Sequence, residues 1–167
     1  KDNLVMCEKA ITFLKKYIKH WLGIDGIEER DKDKVQEEIE NSVKRTGHKY
    51  HVSYDLWEMC EGIHLYSLAS IYSAFESIIK IYRVLDKNTS NFENNRLKEE
   101  KINKNEKAIQ KLQMGIKEYI ENNLYDESKK SYVRNTEDKK MDISILGLTV
   151  PFEVVKPNEK RMKNTVL

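Results

Sequence analysis

Between Ile63 and Leu85, apolar side chains point in nearly every direction around a helical wheel. Leu65, Tyr66, Leu68, Ile71, Tyr72, Phe75, Ile78, Ile79, Ile81 and Tyr82 alternate with the small residues Ser67, Ala69, Ser70, Ser73, Ala74 and Ser77. A helix on a protein surface keeps a polar face opposite its buried stripe. This one has none, so it predicts an inner helix that neighbouring elements must enclose. With only 2 prolines and 6 glycines, and 35% charged residues against 39% apolar, the rest of the chain also favours helices over sheets.

The flanking segments carry the complementary pattern. Residues 3–22 place Met6, Ala10, Ile11, Leu14, Tyr17, Ile18 and Trp21 at three-and-four spacing, with Lys9, Lys15, Lys16 and Lys19 on the other face. A second amphipathic stretch, residues 94–122, does the same with Ile102, Ala108, Ile109, Leu112, Ile116, Tyr119 and Ile120. Its Lys-rich face over residues 98–111 reads as solvated. Outer, inner, outer is the order of helical hairpins packed in layers, and the expected fold class is all-α. Gly23 and Gly26 end the first helix, and residues 24–52 read as a loop excursion in which Val35, Ile39 and Val43 support at most a short helix. Asp86 to Asn91 reads as a polar turn. Residues 124–157 read as a buried loop, with a turn at Asp126 to Lys129 and a short extended piece at Ser131 to Arg134. A further helix starts near Arg161, and three helices cannot surround the middle one, so the chain reads as part of a larger domain.

Charge and composition narrow the function. Lys and Arg number 30 against 28 Asp and Glu, interspersed along the chain, which gives nucleic-acid binding no basic face to use. No apolar run reaches the length of a membrane span, because Ser, Glu, Lys and Arg interrupt the most apolar region. Cys7 and Cys60 have no C-x-x-C spacing and read as buried free thiols, which fits a cytoplasmic setting. The chain begins with Lys1 and not Met, and reads as lacking its true N-terminus.

The stretch Tyr54-Asp55-Leu56-Trp57-Glu58-Met59-Cys60-Glu61-Gly62 places three carboxylates and an indole just before the inner helix. The residues allow two readings. A carboxylic acid beside an indole and an apolar helix is desolvated, which raises its pKa toward that of a general acid at neutral pH. Alternatively, Asp55 caps the helix and Glu58, three residues later, completes a capping box. Glu61 reads as a solvated acid at the helix start, and Cys60 as packing. His64 reads as a hydrogen-bonded core histidine one turn into the helix, since nothing nearby completes a metal set.

Tyr54-Asp55-Leu56-Trp57-Glu58, followed by Gly62-Ile63-His64-Leu65-Tyr66-Ser67, resembles the general-acid segment of glycoside hydrolase family 15, the glucoamylases and their relatives. Downstream, Asp142-x-Ser144-x-Leu146-Gly147-Leu148, then Pro151-Phe152-x-Val154-Val155, then Arg161-Met162-x-x-Thr165-Val166, is similar to the block that bacterial and archaeal-type members carry after the acid. The two motifs come in the family's order and cover most of residues 50–167.

The resemblance implies part of an (α/α)6 toroid, in which outer and inner helices alternate and the site lies in loops at one end. It implies an inverting, exo-acting hydrolase that releases glucose from the non-reducing ends of α-linked glucans without a cofactor or metal. In such enzymes the glutamate after Asp-Leu-Trp protonates the glycosidic oxygen, a role that falls on Glu58. Asp55 and Trp57 match residues at the sugar pocket, Leu56 would offer its main-chain carbonyl, and Tyr54 lies nearby. A second carboxylate activates water for attack from the opposite face; no residue of this chain matches the segment that carries it. The implied partners are an α-glucan and the remainder of the same catalytic domain, and this chain alone is expected to be inactive. Many glucoamylases carry a second glutamate directly after the acid, where this chain has Met59, which leaves leaving-side specificity open. Trehalose and α-1,6-linked glucans stay open as substrates, and a helical interaction module without catalysis is the alternative of another class.

Overall fold

The computed structural model describes residues 9–15, 18, 53–54, 61–88 and 95–167. Among these, the order is β1 (Ser53–Tyr54), β2 (Glu61–Gly62), α1 (Leu65–Asn88), α2 (Asn95–Asn123), β3 (Tyr125–Asp126), β4 (Ser131–Tyr132), a 3-10 helix (Ile143–Leu148) and α3 (Lys160–Val166). The described part is mostly helical, as the periodicity predicts.

Helices α1 and α2 form an antiparallel hairpin. Arg83 near the end of α1 ion-pairs with Glu106 near the start of α2 at 2.6 Å, whereas Gln113, farther along α2, reaches back to Tyr72 and Glu76. The seam is built from Leu65, Leu68, Phe75, Ile79 and Tyr82 on one helix and Ile109, Leu112, Ile116 and Ile120 on the other, all buried. These positions recur every three or four residues, so one stripe of each helix meets the partner. Each fully buried Leu, Ile or Phe contributes roughly 1.5–3 kcal/mol relative to exposure. The seam also contains buried Gln113, whose Nε2 donates to the Tyr72 carbonyl at 3.2 Å and to Glu76 Oε2 at 3.3 Å. Those bonds offset the cost of burying an amide.

Residues 9–15 and 18 are helical, and Ile11 and Ile18 join the same core. Lys15 Nζ donates to Asn105 Oδ1 at 3.4 Å, which sets this helical segment beside α2. The predicted stripe is narrower than its periodicity: Ala10 is exposed, as is Ala108 on α2. A single methyl at the edge of a stripe buries too little area to fix the helix's rotation.

Helix α1 is enclosed along its first half, where no residue before Ser77 is exposed. Toward its end Ser77, Lys80, Ile81, Arg83 and Val84 are exposed, so all-round burial holds for half of the helix. The helix also continues through Asp86, Lys87 and Asn88, where the sequence suggests a turn. Asp and Lys are tolerated in a helix once packing upstream has nucleated it. The expected turn residues beyond Asn88, the excursion over 24–52, and Met6, Cys7, Tyr17 and Trp21 lie outside the described residues.

Residues 124–157 are more ordered than the buried loop expected from sequence. Tyr125 pairs with Tyr132 and Asp126 with Ser131 in an antiparallel hairpin, extended by Val133 N–H donating to the Leu124 carbonyl at 2.9 Å. Its turn is set by Asp126, whose Oδ1 accepts from the main-chain N–H of Ser128 at 2.9 Å and of Lys129 at 3.2 Å. Lys130 then takes a left-handed φ of 54°. The 3-10 helix packs on α1 through buried Ile145, Gly147 and Leu148, while Ile143, Leu146 and Val150 are exposed. Only one side of this segment is therefore buried. Helix α3 packs on β4 and buries Met162 and Thr165, close to where the sequence predicts a helix start.

Candidate active site at the start of the enclosed helix

Asp55, Leu56, Trp57, Glu58, Met59 and Cys60 lie outside the described residues. Tyr54 is described through its main chain only, as the second residue of β1. The structure does describe both ends of the connection that carries these residues, and the surface those ends rest on.

Ser53 pairs with Gly62 and Tyr54 with Glu61, antiparallel. The two residues of such a pair stand about 5 Å apart, so the chain that leaves Tyr54 returns at Glu61. Glu61 is exposed, but it belongs to β2 and not to a helix start. His64 is buried, as the sequence suggests, yet it precedes α1 and forms an isolated antiparallel bridge with Asn135. The helix proper starts at Leu65, with the His64 carbonyl accepting from the Leu68 N–H at 3.1 Å. A capping box on this helix therefore falls at and after His64 and cannot include Asp55 or Glu58.

The base of the connection is held by residues 134–138. Leu65 N–H donates to the Arg134 carbonyl at 2.9 Å, giving a partner to one of the amides that a helix start leaves free. Thr136 N–H donates to the Ile63 carbonyl, and Ile63 N–H to Thr136 Oγ1, both at 3.3 Å. Asn135 is fully buried, and its Oδ1 accepts from the N–H groups of Glu137, at 2.9 Å, and Asp138, which curls the segment into a turn. Gly62 adopts φ +153°, and a Cβ there would sit 3.2 Å from Asn135 Cγ and 3.3 Å from its Nδ2. Only glycine allows both the conformation and the approach.

Charge around this base is internally matched. Arg134, mostly buried, ion-pairs with Asp138 and, through Nη1, with Asp142 Oδ2 at 3.5 Å. The hydrogen bond from Arg134 holds the Asp138 carboxyl below its ordinary pKa. Asp142 caps the 3-10 helix, accepting from the Ser144 N–H at 2.8 Å. Arg134 thus ties the start of α1 to the start of the 3-10 helix. That helix brings Gly147 under the Tyr66 ring, where a Cβ would lie 3.0 Å from Cδ2, and Tyr66 meets Phe152 edge-on with centroids 4.9 Å apart.

Sequence reasoning singled out Asp142, Ser144, Gly147 and Phe152 but passed over Arg134, Asn135 and Thr136. The Asn135-x-x-Asp138 turn and the four-residue spacing of Arg134 and Asp138 are the signals that could have drawn attention to them. Among the described residues no group of three His, Cys, Asp or Glu side chains is placed to hold a metal ion, and no helix is long and apolar enough to cross a membrane. No protein-family model, no curated protein and no solved structure matches this chain.

Proposed function

We propose that this chain is part of an inverting exo-glycosidase of the glucoamylase type, with Glu58 as proton donor. Two sequence motifs in one order support this reading. The observation that carries it is the position of α1: with the helix starting at Leu65, and β2 and His64 intervening, Glu58 has no helix start of α1 to cap. Capping of α1, the competing explanation for this acid, is therefore not open to Glu58. The connection that carries Glu58 leaves β1 at Tyr54 and returns in β2 at Glu61, just ahead of α1.

In the proposed reaction Glu58 gives its proton to the glycosidic oxygen as the bond from that oxygen to the anomeric carbon breaks. A water molecule adds its oxygen to the anomeric carbon from the opposite face, and its proton passes to a carboxylate base. Glucose leaves with inverted configuration, and the shortened glucan carries the new hydroxyl. The base is not among the residues matched in this chain. Trp57 would shield the acid and offer its face to a pyranose, with Asp55, Leu56 and Tyr54 beside it. An α-1,4-linked glucan is the proposed substrate, with trehalose and α-1,6-linked glucans as alternatives.

A second reading is a helical interaction module, favoured by the exposed Ile81 and Val84 on α1 and Met114 on α2. One experiment separates the two. The full-length protein containing this chain is assayed for glucose release from maltooligosaccharides, trehalose and isomaltooligosaccharides, beside Glu58→Gln. The hydrolase reading expects release, reduced by about 10²–10⁴-fold in the variant. Release that survives in Glu58→Gln refutes the assignment, and no release from any α-glucoside favours the module.

A further inference from the structure

Residues 134–152 run along the start of α1 and hold to it at two places. At the near end, Leu65 N–H donates to the Arg134 carbonyl at 2.9 Å and Thr136 N–H to the Ile63 carbonyl at 3.3 Å. At the far end, Gly147 sits under the Tyr66 ring and Phe152 meets that ring edge-on. The 3-10 helix between them turns Ile145 and Leu148 inward, whereas Ile143, Leu146 and Val150 are exposed. Hydrogen bonds of a 3-10 run are poorly aligned, so six residues in that form lean on what they pack against. Two buried apolar side chains are a small hold beside the full stripe that each helix contributes to the α1–α2 seam.

One residue joins the parts of this segment. The Arg134 carbonyl accepts from Leu65, its N–H donates to the Lys140 carbonyl at 2.9 Å, and its mostly buried guanidinium pairs with Asp138 and, at 3.5 Å, with Asp142, the cap of the 3-10 helix. Removing one partner from such a mostly buried cluster leaves charge uncompensated, which costs more than loss of an exposed pair.

We propose that residues 134–152 are a strap that opens and closes over the start of α1 as one unit, more readily than the α1–α2 hairpin itself opens, with Arg134 as its latch. Opening uncovers Tyr66 and the inward faces of Ile145 and Leu148. The latch works in the same way whatever chemistry Glu58 performs. Segments held by few buried apolar contacts open locally below the free energy of global unfolding, and hydrogen exchange reads each such unit separately.

The test is native-state hydrogen exchange of the full-length protein containing this chain. In Arg134→Ala the hydrogen-bonded amides of Leu65, Thr136, Ile145 and Phe152 are expected to exchange faster together, by about ten- to a hundredfold, while Ile79 and Ile116 in the seam keep the parent rate. Asp142→Asn keeps an oxygen to cap Ser144 but removes the charge that faces Arg134. It is expected to give the same pattern at smaller amplitude, and it carries the test if Arg134→Ala does not fold. A rise confined to Leu65 and Thr136 would reduce Arg134 to a local contact and overturn the single unit. Equal rises in the seam would make the opening global, and unchanged exchange throughout would remove the latch; either result overturns the proposal.

Discussion

Arg161 donates from Nη1 to both the carboxylate of Glu121, at 2.5 Å, and the main-chain carbonyl of the same residue, at 3.0 Å, joining α3 to the end of α2 across forty positions. The guanidinium lies 4.1 Å from the centroid of the Tyr125 ring, and its Nη2 donates to Glu127 at 2.7 Å. Tyr132 completes the cluster: its hydroxyl donates to Glu121 Oε1 at 2.6 Å, and its ring meets Tyr125 edge-on at 5.1 Å. Fixing α3 also orients Thr165, whose Oγ1 accepts from the Tyr132 N–H at 3.0 Å while donating to the Arg161 carbonyl.

Arg161→Lys is expected to destabilise the docking of α3 by about 1–2 kcal/mol, because an ammonium cannot reach Glu121 and Glu127 together with a planar fork. Hydrogen exchange of the α3 amides should rise well above that of the α1–α2 seam. Equal exchange in parent and variant would assign α3's docking to Met162 and Thr165 alone.

Burial, followed by the hydrogen bond to Glu121, pushes the Tyr132 phenol far above its ordinary pKa. The folded state therefore keeps a proton that the unfolded chain releases near pH 10. Its contribution is fully present below that pH and is lost as pH rises further. Tyr132→Phe should be less stable than the parent at neutral pH by about 1 kcal/mol and show a shallower loss above pH 10. Denaturant midpoints across pH 7–12 measure both.

The acid side has the opposite sign. Asp138 and Asp126 sit below their ordinary pKa, the first through the Arg134 hydrogen bond and the second through the Ser128 hydroxyl. Each contributes above the usual carboxylate range and loses that contribution as pH falls through its lowered folded value. Asp138→Asn should flatten the acid limb of a stability curve and leave neutral-to-alkaline slopes unchanged. Thermal melts between pH 2 and 6 read this directly.

Gly147→Ala is expected to cost about 1–3 kcal/mol, since its Cβ would lie 3.0 Å and 3.1 Å from Tyr66 ring atoms and 3.3 Å from Phe152. If the clash is the cause, the effect shrinks in a Tyr66→Ala background, and a double-mutant cycle by urea denaturation should give a coupling of at least about 0.5 kcal/mol. Additive losses would locate the cost elsewhere.

The α1–α2 hairpin was legible because a long helix repeats its signal at every turn: Leu65, Leu68, Phe75 and Ile79 agree with one another, as do Ile109, Leu112, Ile116 and Ile120. The helix at Lys160–Val166 was legible for the same reason on a smaller scale. Two-residue strands carry no comparable period, so the β1–β2 ladder escaped the reading, whereas the turn at Asp126 to Lys129 and the extended piece that contains β4 were read from turn residues without their pairing to β3. The end of α1 misled it in the other direction, because Ile81 reads as part of the all-round apolar surface yet stands exposed.

By itself the sequence determined the helical class, the seam between the two long helices and the acidic stretch that draws attention to Glu58, since each is written in local spacing or local wording. Only the tertiary structure decided that α1 begins at Leu65, that Gly62 rests on Asn135, and that Arg161 clasps Glu121. These are contacts between residues far apart in the chain, and no local pattern encodes them. They exist only because packing of the shared core brings their elements within hydrogen-bonding reach.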